Sequence, residues 1–256
     1  ENLDDSLKLY SEIILEPSFP DRELERIRNQ KLAQIQQEKN QPFGIALRVL
    51  PELLYGESHA YSLPLTGSGT EESVMQIDRQ SLINYHNEWF KPNNATMIIV
   101  GDVEMDQMKP MLEKHFKNWK SGIVPEKDIA DVTVAKSDSV YLIDRPGSQQ
   151  SIVLAANIAP GKGDSDDLAI ESMNDVIGGS FTSRINMNLR EDKGWAYGAR
   201  TTLLQTKGQR PFIAYAPVQT DKTAESIIEI KQELLEFLTT NPVTEDELQK
   251  VKDNNT

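Results

Sequence analysis

The chain contains no cysteine and only three histidines in 256 residues. The first absence excludes disulfides and thiolate metal sites, and it leaves the redox compartment open. The second leaves little from which to build a metal centre. His59, His86 and His115 stand far apart, and no two have the one-turn spacing of a helical ligand pair. Each reads as structural. No apolar run approaches the length of a membrane span, and no signal-like segment is present. Because the chain opens on Glu-Asn-Leu, an export signal could have been lost or could lie outside it. Basic residues are outnumbered, giving a net charge of -13. With no basic patch, binding through a phosphate backbone is excluded.

What remains is a chain with clear helical periods and fewer strands. Leu3, Leu7, Tyr10 and Ile14 share one face of a first helix, which Glu16-Pro17 ends. A charged second helix over 21–38 turns Leu24, Ile27 and Ile35 inward. A third follows Pro42, with a kink or interruption expected at Pro51. Residues 57–72 read as a loop rich in turn formers, and Asp78 caps a helix bearing Leu82, Tyr85 and Trp89. The run at 95–100 reads as a buried strand, and 106–117 as a helix. Scattered charges without period make 123–136 the expected linker. Beyond it the pattern predicts strands at 140–144, 151–157, 195–205 and 211–217, then a helix over 221–238. Strands and helices come in blocks, so the expected fold class is α+β with antiparallel sheets backed by helices. The acidic turn after Ala159-Pro160-Gly161 lacks the spacing of a phosphate cradle and reads as a solvated helix cap.

The stretch from Gly178 to Gly198, GGSFTSRINMNLREDKGWAYG, organises the second half. A glycine turn precedes a short amphipathic helix over 182–192, with Ser180 or Thr182 placed to cap it. Gly194 stands where a helix stops in the left-handed conformation. Arg190 and Tyr197 bracket the turn from helix to strand. A guanidinium and a phenol are both donors, able to meet on one carbonyl or oxyanion. The same spacing also suits an arginine answering the helix dipole and a tyrosine in the core.

A second pattern is an internal echo. Asp21-Arg-Glu-Leu-Glu-Arg-Ile-Arg-Asn29 matches Glu245-Asp-Glu-Leu-Gln-Lys-Val-Lys-Asp253 position by position, each after an amphipathic helix and a proline. So long a period suggests duplicated domains. The chain would then enter one domain partway and leave the next at the equivalent point, as a fragment does.

The Arg190–x6–Tyr197 phrase, with "EPSFPDRELERIR" and "HNEWFKPNNATMIIVGDV", resembles the M16 (pitrilysin/insulinase-like) zinc metallopeptidases. The resemblance implies a duplicated α+β architecture. Residues 1–122 would be the second part of one domain, 123–136 the linker, and 137–256 the first part of the next. It assigns Arg190 and Tyr197 to substrate binding, in a domain other than the one holding zinc. The family's inverted H-x-x-E-H is absent here. Laid on the family helix, the later carboxylate ligand falls on Gln34, an uncharged amide and a poor zinc ligand.

The resemblance therefore implies a substrate-enclosing part of a zinc endopeptidase, without catalytic residues or cofactor of its own and inactive alone. Zinc would sit in a domain outside the chain, supplied in cis or in trans, and the partner would be peptide or unfolded polypeptide. The alternative is a catalytically silent scaffold or peptide-binding subunit of the same descent. Neither nucleic acid nor a membrane span is expected, a homo-oligomer is compatible, and the bacterial periplasm or envelope is the implied compartment.

Overall fold

A computed structural model describes residues 2–133 and 138–254. It divides into two compact units: residues 1–36 with 68–128, and residues 37–67 with 129–256. Residues 37–67 thus group with the C-terminal part of the chain, and one division falls inside the second helix. A second follows Gly67, and the third, after Asp128, lies within the expected linker, of which residues 134–136 are outside the described residues.

Among its described residues, the regular secondary structure of the first unit is helical. α1 (Leu3–Leu15) packs against α6 (Met105–Phe116), with Tyr10 and Phe116 edge to face at 6.3 Å. α2 (Asp21–Asn40) begins at the first residue of the echo phrase, and the second copy does the same farther on. Arg28 donates to the carbonyls of Val74 and Ile77, closing the end of α4 (Glu71–Gln76). That short helix interrupts the expected loop. Thr70 and Ser73 form a reciprocal capping box that starts it. α5 (Arg79–Trp89) opens on the side chain of Asp78, as its sequence indicates.

The strand expected at 95–100 does not form. The segment has no regular secondary structure, and Ile98 is 83% and Val100 92% exposed. A strand needs a neighbour for its backbone groups, and the described residues supply none here.

The second unit holds an antiparallel sheet of order β1-β3-β2: β1 (Gln150–Ala159), β2 (Arg200–Leu203) and β3 (Arg210–Gln219). Leu154 lies opposite Tyr215, and Thr201 opposite Ala214. On one face Ala214, Ala216 and Val218 meet Ile177, Ile185, Leu189 and Ile230 in a continuous core. The small alanines let helices approach the sheet closely. On the other, Tyr215 meets Phe43 of α3 (Pro42–Tyr55) at 4.7 Å. α3 runs through Pro51 without interruption, contrary to the expected break, and the ring is buried. The strand expected at 140–144 is absent for the same reason as 95–100. It has no neighbour among the described residues, and Val140 and Leu142 stay 85% and 88% exposed.

α7 (Asp167–Asn174) leads into a widened π-helical turn (Asp175–Gly179). Here Gly178 is required, because a Cβ would lie 2.4 Å from the Thr201 backbone nitrogen. α9 (Thr223–Phe237) covers the core, and α10 (Glu245–Asn254) carries the second echo copy.

Thr244 and Glu247 form a capping box at the start of α10, and Arg184 grips the same carboxylate with two bonds of 2.7 Å. Those arginine bonds, helped by the Thr244 amide and hydroxyl, hold the Glu247 carboxyl down to about 2. A carboxyl depressed by folding stabilises above its unfolded value of 4.5 and loses that contribution as pH falls toward 2. The linkage is worth on the order of 2 kcal/mol. Urea midpoints at pH 6 and near pH 2 test it. Glu247→Gln should lose stability at pH 6 and show little further difference from wild type near pH 2. Equal midpoints at pH 6 would remove the pair from the stability balance.

Candidate functional site

The organising stretch folds as a helical turn, α8 (Arg184–Asn186), that widens into a second π-helical turn (Met187–Asp192). The widening shows in the Lys193 N–H bonding the Asn188 carbonyl at 3.0 Å, five residues back. Neither Ser180 nor Thr182 caps the helix. Ser183 takes that position, 2% exposed, and its hydroxyl makes no capping bond. Gly194 does adopt the left-handed conformation, with φ of 65°.

Three contacts fix this turn. Leu189 is 1% exposed in the core, and its carbonyl accepts from Trp195 (2.9 Å) and Ala196 (3.2 Å). The Asn188 amide donates to Glu229 (2.9 Å) and Glu233 (2.8 Å) of α9, and Lys193 pairs with Glu229 at 3.1 Å. The chain then crosses back onto the sheet, where Ala196 bridges Val218 and Gln219 donates to the Trp195 carbonyl. The strand expected over 195–205 is thus a single bridge followed by β2.

On this frame Arg190 and Tyr197 come together. The Arg190 guanidinium carbon is 5.4 Å from the centre of the Tyr197 ring. It is also 4.5 Å from the ring of Phe181, which the spacing argument did not single out. The available signal was an aromatic residue in an otherwise small and polar turn. Tyr197 is 86% exposed, so it is not a core residue. Among the described residues, Arg190 makes an ionic contact only with neighbouring Glu191 (3.2 Å), and the Tyr197 hydroxyl makes no hydrogen bond. Two sets of donors therefore face solvent side by side.

Gln34, expected at the degenerate ligand position, is half-buried on α2 and accepts from Lys31 at 3.1 Å. The histidines are engaged elsewhere. His59 stacks on Tyr55 and lies 2.8 Å from the Ala130 carbonyl; His86 meets the Ile14 carbonyl and His115 meets Asp4, both at 2.8 Å. Among the described residues, no group of three or more histidine and acidic side chains could hold a metal ion. No helix among them is long and apolar enough to cross a membrane.

A sequence profile of the peptidase M16 inactive domain matches residues 76–255. The chain belongs to that family. This M16 chain is similar to a non-peptidase homolog from Helicobacter pylori, YmxG, at 24% identity over 97% of the chain and 56% of the relative. An uncharacterized zinc protease from Bacillus subtilis, also YmxG, is 22% identical over 99% of the chain and 60% of its own length. The M16 chain thus spans little more than half of these curated relatives. Its fold superposes on the crystal structure of a peptidase M16 inactive domain from Pseudomonas fluorescens with a TM-score of 0.89, at 25% identity, covering 98% of this chain and 59% of that one. The α+β class with antiparallel strands and the inactive-domain character both stand.

Proposed function

We propose that this M16 domain is the substrate-enclosing, non-metal-binding part of a zinc metalloendopeptidase, hydrolysing peptides only together with a zinc-bearing M16 domain outside the chain. The juxtaposition of the half-buried Arg190 and the exposed Tyr197, whose hydroxyl is unengaged, on a turn anchored in the core carries the reading. In it, residues 1–122 complete one M16 domain, 123–136 connect, and 137–256 begin the next. Arg190 and Tyr197 donate to a peptide carbonyl, or to the oxyanion formed when zinc-bound hydroxide attacks it. β2 lies at an edge of the sheet, where an extended peptide can add a strand. A bacterial periplasmic or envelope location fits the same reading.

The second reading is a catalytically silent scaffold or peptide-binding subunit. The uncharged Gln34 at the ligand position favours it, as does the non-peptidase name of the H. pylori relative. Hydrolysis of a quenched fluorescent peptide by the full-length parent decides between them. Cleavage lost on chelation and restored by zinc supports the first; peptide binding without cleavage supports the second. For the chain alone, metal analysis after dialysis should find no stoichiometric zinc. Zinc retained at one equivalent would overturn both the ligand argument and the division of labour.

A further inference from the structure

Burial does not account for Phe181. Its ring is 63% exposed, yet it lies against the Arg190 guanidinium, with Tyr197 against the same group. Two large rings left in water gain little from the hydrophobic effect. What holds them is a buried polar link. Asn186, 5% exposed, donates from Nδ2 to the Phe181 carbonyl at 2.6 Å and accepts at Oδ1 from the Ala199 N–H at 2.9 Å. One amide thereby joins the turn carrying Phe181 to the segment carrying Tyr197, and the helical turn bearing Arg190 starts at Asn186 itself. Sequestering both ends of an amide to set two exposed rings around a cation is preorganisation of a binding surface.

From this geometry we infer that Phe181 is a third contact residue of the peptide site, and that Asn186 is its positioning residue. The inference rests on the reading that Arg190 and Tyr197 contact peptide. Phe181 holds the guanidinium over its ring, and its free surface receives an apolar or aromatic side chain next to the carbonyl that Arg190 and Tyr197 engage. Glu191, paired to Arg190 at 3.2 Å, disfavours an acidic side chain there. The substrate class is therefore an extended peptide with an apolar or aromatic residue at that position.

The test uses the full-length parent and two labelled, unstructured peptides of Gly-Ser-Ala background, one carrying a single phenylalanine and the other aspartate in its place. Fluorescence anisotropy gives Kd for each. Wild type should bind the phenylalanine peptide more tightly. Phe181→Ala should weaken that binding about tenfold and erase the discrimination, with only a small drop in the thermal melt, because the exposed ring loses little beyond its contact with Arg190. Phe181→Tyr should restore both. Asn186→Asp still accepts from Ala199 but no longer donates to Phe181, and should lose discrimination in the same direction; Asn186→Ala, if it folds, should lose more. Unchanged Kd and discrimination in Phe181→Ala, with Arg190→Ala weakening binding, would overturn this inference alone. If Arg190→Ala also changes nothing, or neither peptide binds, the underlying site reading falls with it.

Discussion

Tyr197→Phe in the full-length parent is expected to lower kcat by about 10²–10³ with zinc content unchanged, and Arg190→Ala by a similar factor. In the proposed role, each substitution removes a donor aimed at charge that develops only in the transition state, and one such donor is worth roughly 3–4 kcal/mol. Tyr197 permits a clean test because its ring is 86% exposed and its hydroxyl has no partner to lose. The melting temperature of Tyr197→Phe should match wild type. Arg190→Ala also removes the contacts with both rings, so a small stability loss accompanies it, roughly 0.5–1 kcal/mol at an exposed site. If Tyr197→Phe leaves kcat and KM untouched, the tyrosine has no part in the chemistry. A rise in KM alone would assign it to ground-state peptide binding.

The second large effect is structural. Leu189→Ala should destabilise the C-terminal unit by about 2–5 kcal/mol, measured as a shift in urea midpoint. The side chain is 1% exposed among Ile185, Ile230, Ala214 and Ala216. Two of those neighbours are already alanine and cannot lean far into the void, which argues for the upper part of that range. Because Leu189 immediately precedes Arg190 and its carbonyl holds Trp195 and Ala196, peptide binding should weaken with stability. A loss below about 1 kcal/mol would mean that the widened turn is anchored by its polar contacts to α9 instead.

Local signals were legible and non-local ones were not. Gly194 ends its helix in the left-handed conformation, as a glycine in that place does, and Asp78 caps α5. Arg190 and Tyr197 could be paired from spacing, but exposure depends on what the fold brings near, so the core alternative for Tyr197 stayed open until the sheet was in place. The widened turns at Asp175–Gly179 and Met187–Asp192 leave no mark on an apolar period, since Ile185 and Leu189 sit four apart in either helix type. Phe181 was hidden because its approach to Arg190 depends on how the turn folds back, with the buried Asn186 amide bonding the Phe181 carbonyl and the Ala199 N–H. The segments at 95–100 and 140–144 have strand composition, but a strand is defined by its neighbour. α4 was obscured by the turn-forming residues beside it, although the Thr70–Ser73 box starts it.

Those two segments of strand composition also govern how the isolated chain will behave in the tube. Ile98, Val100, Val140 and Leu142 are each more than four-fifths exposed on segments without a paired neighbour among the described residues, and such apolar, strand-forming sequence is prone to edge-to-edge association. Opposing that is mutual repulsion from a net charge of -13. Salt weakens repulsion over a Debye length of about 10 Å at 0.1 M and 3 Å at 1 M, while leaving apolar attraction in place. The colloidal stability of this chain is therefore electrostatic: low ionic strength and a pH well above its isoelectric point of 4.8 keep it dispersed, and high salt turns its uncovered strand-like segments into adhesive ones.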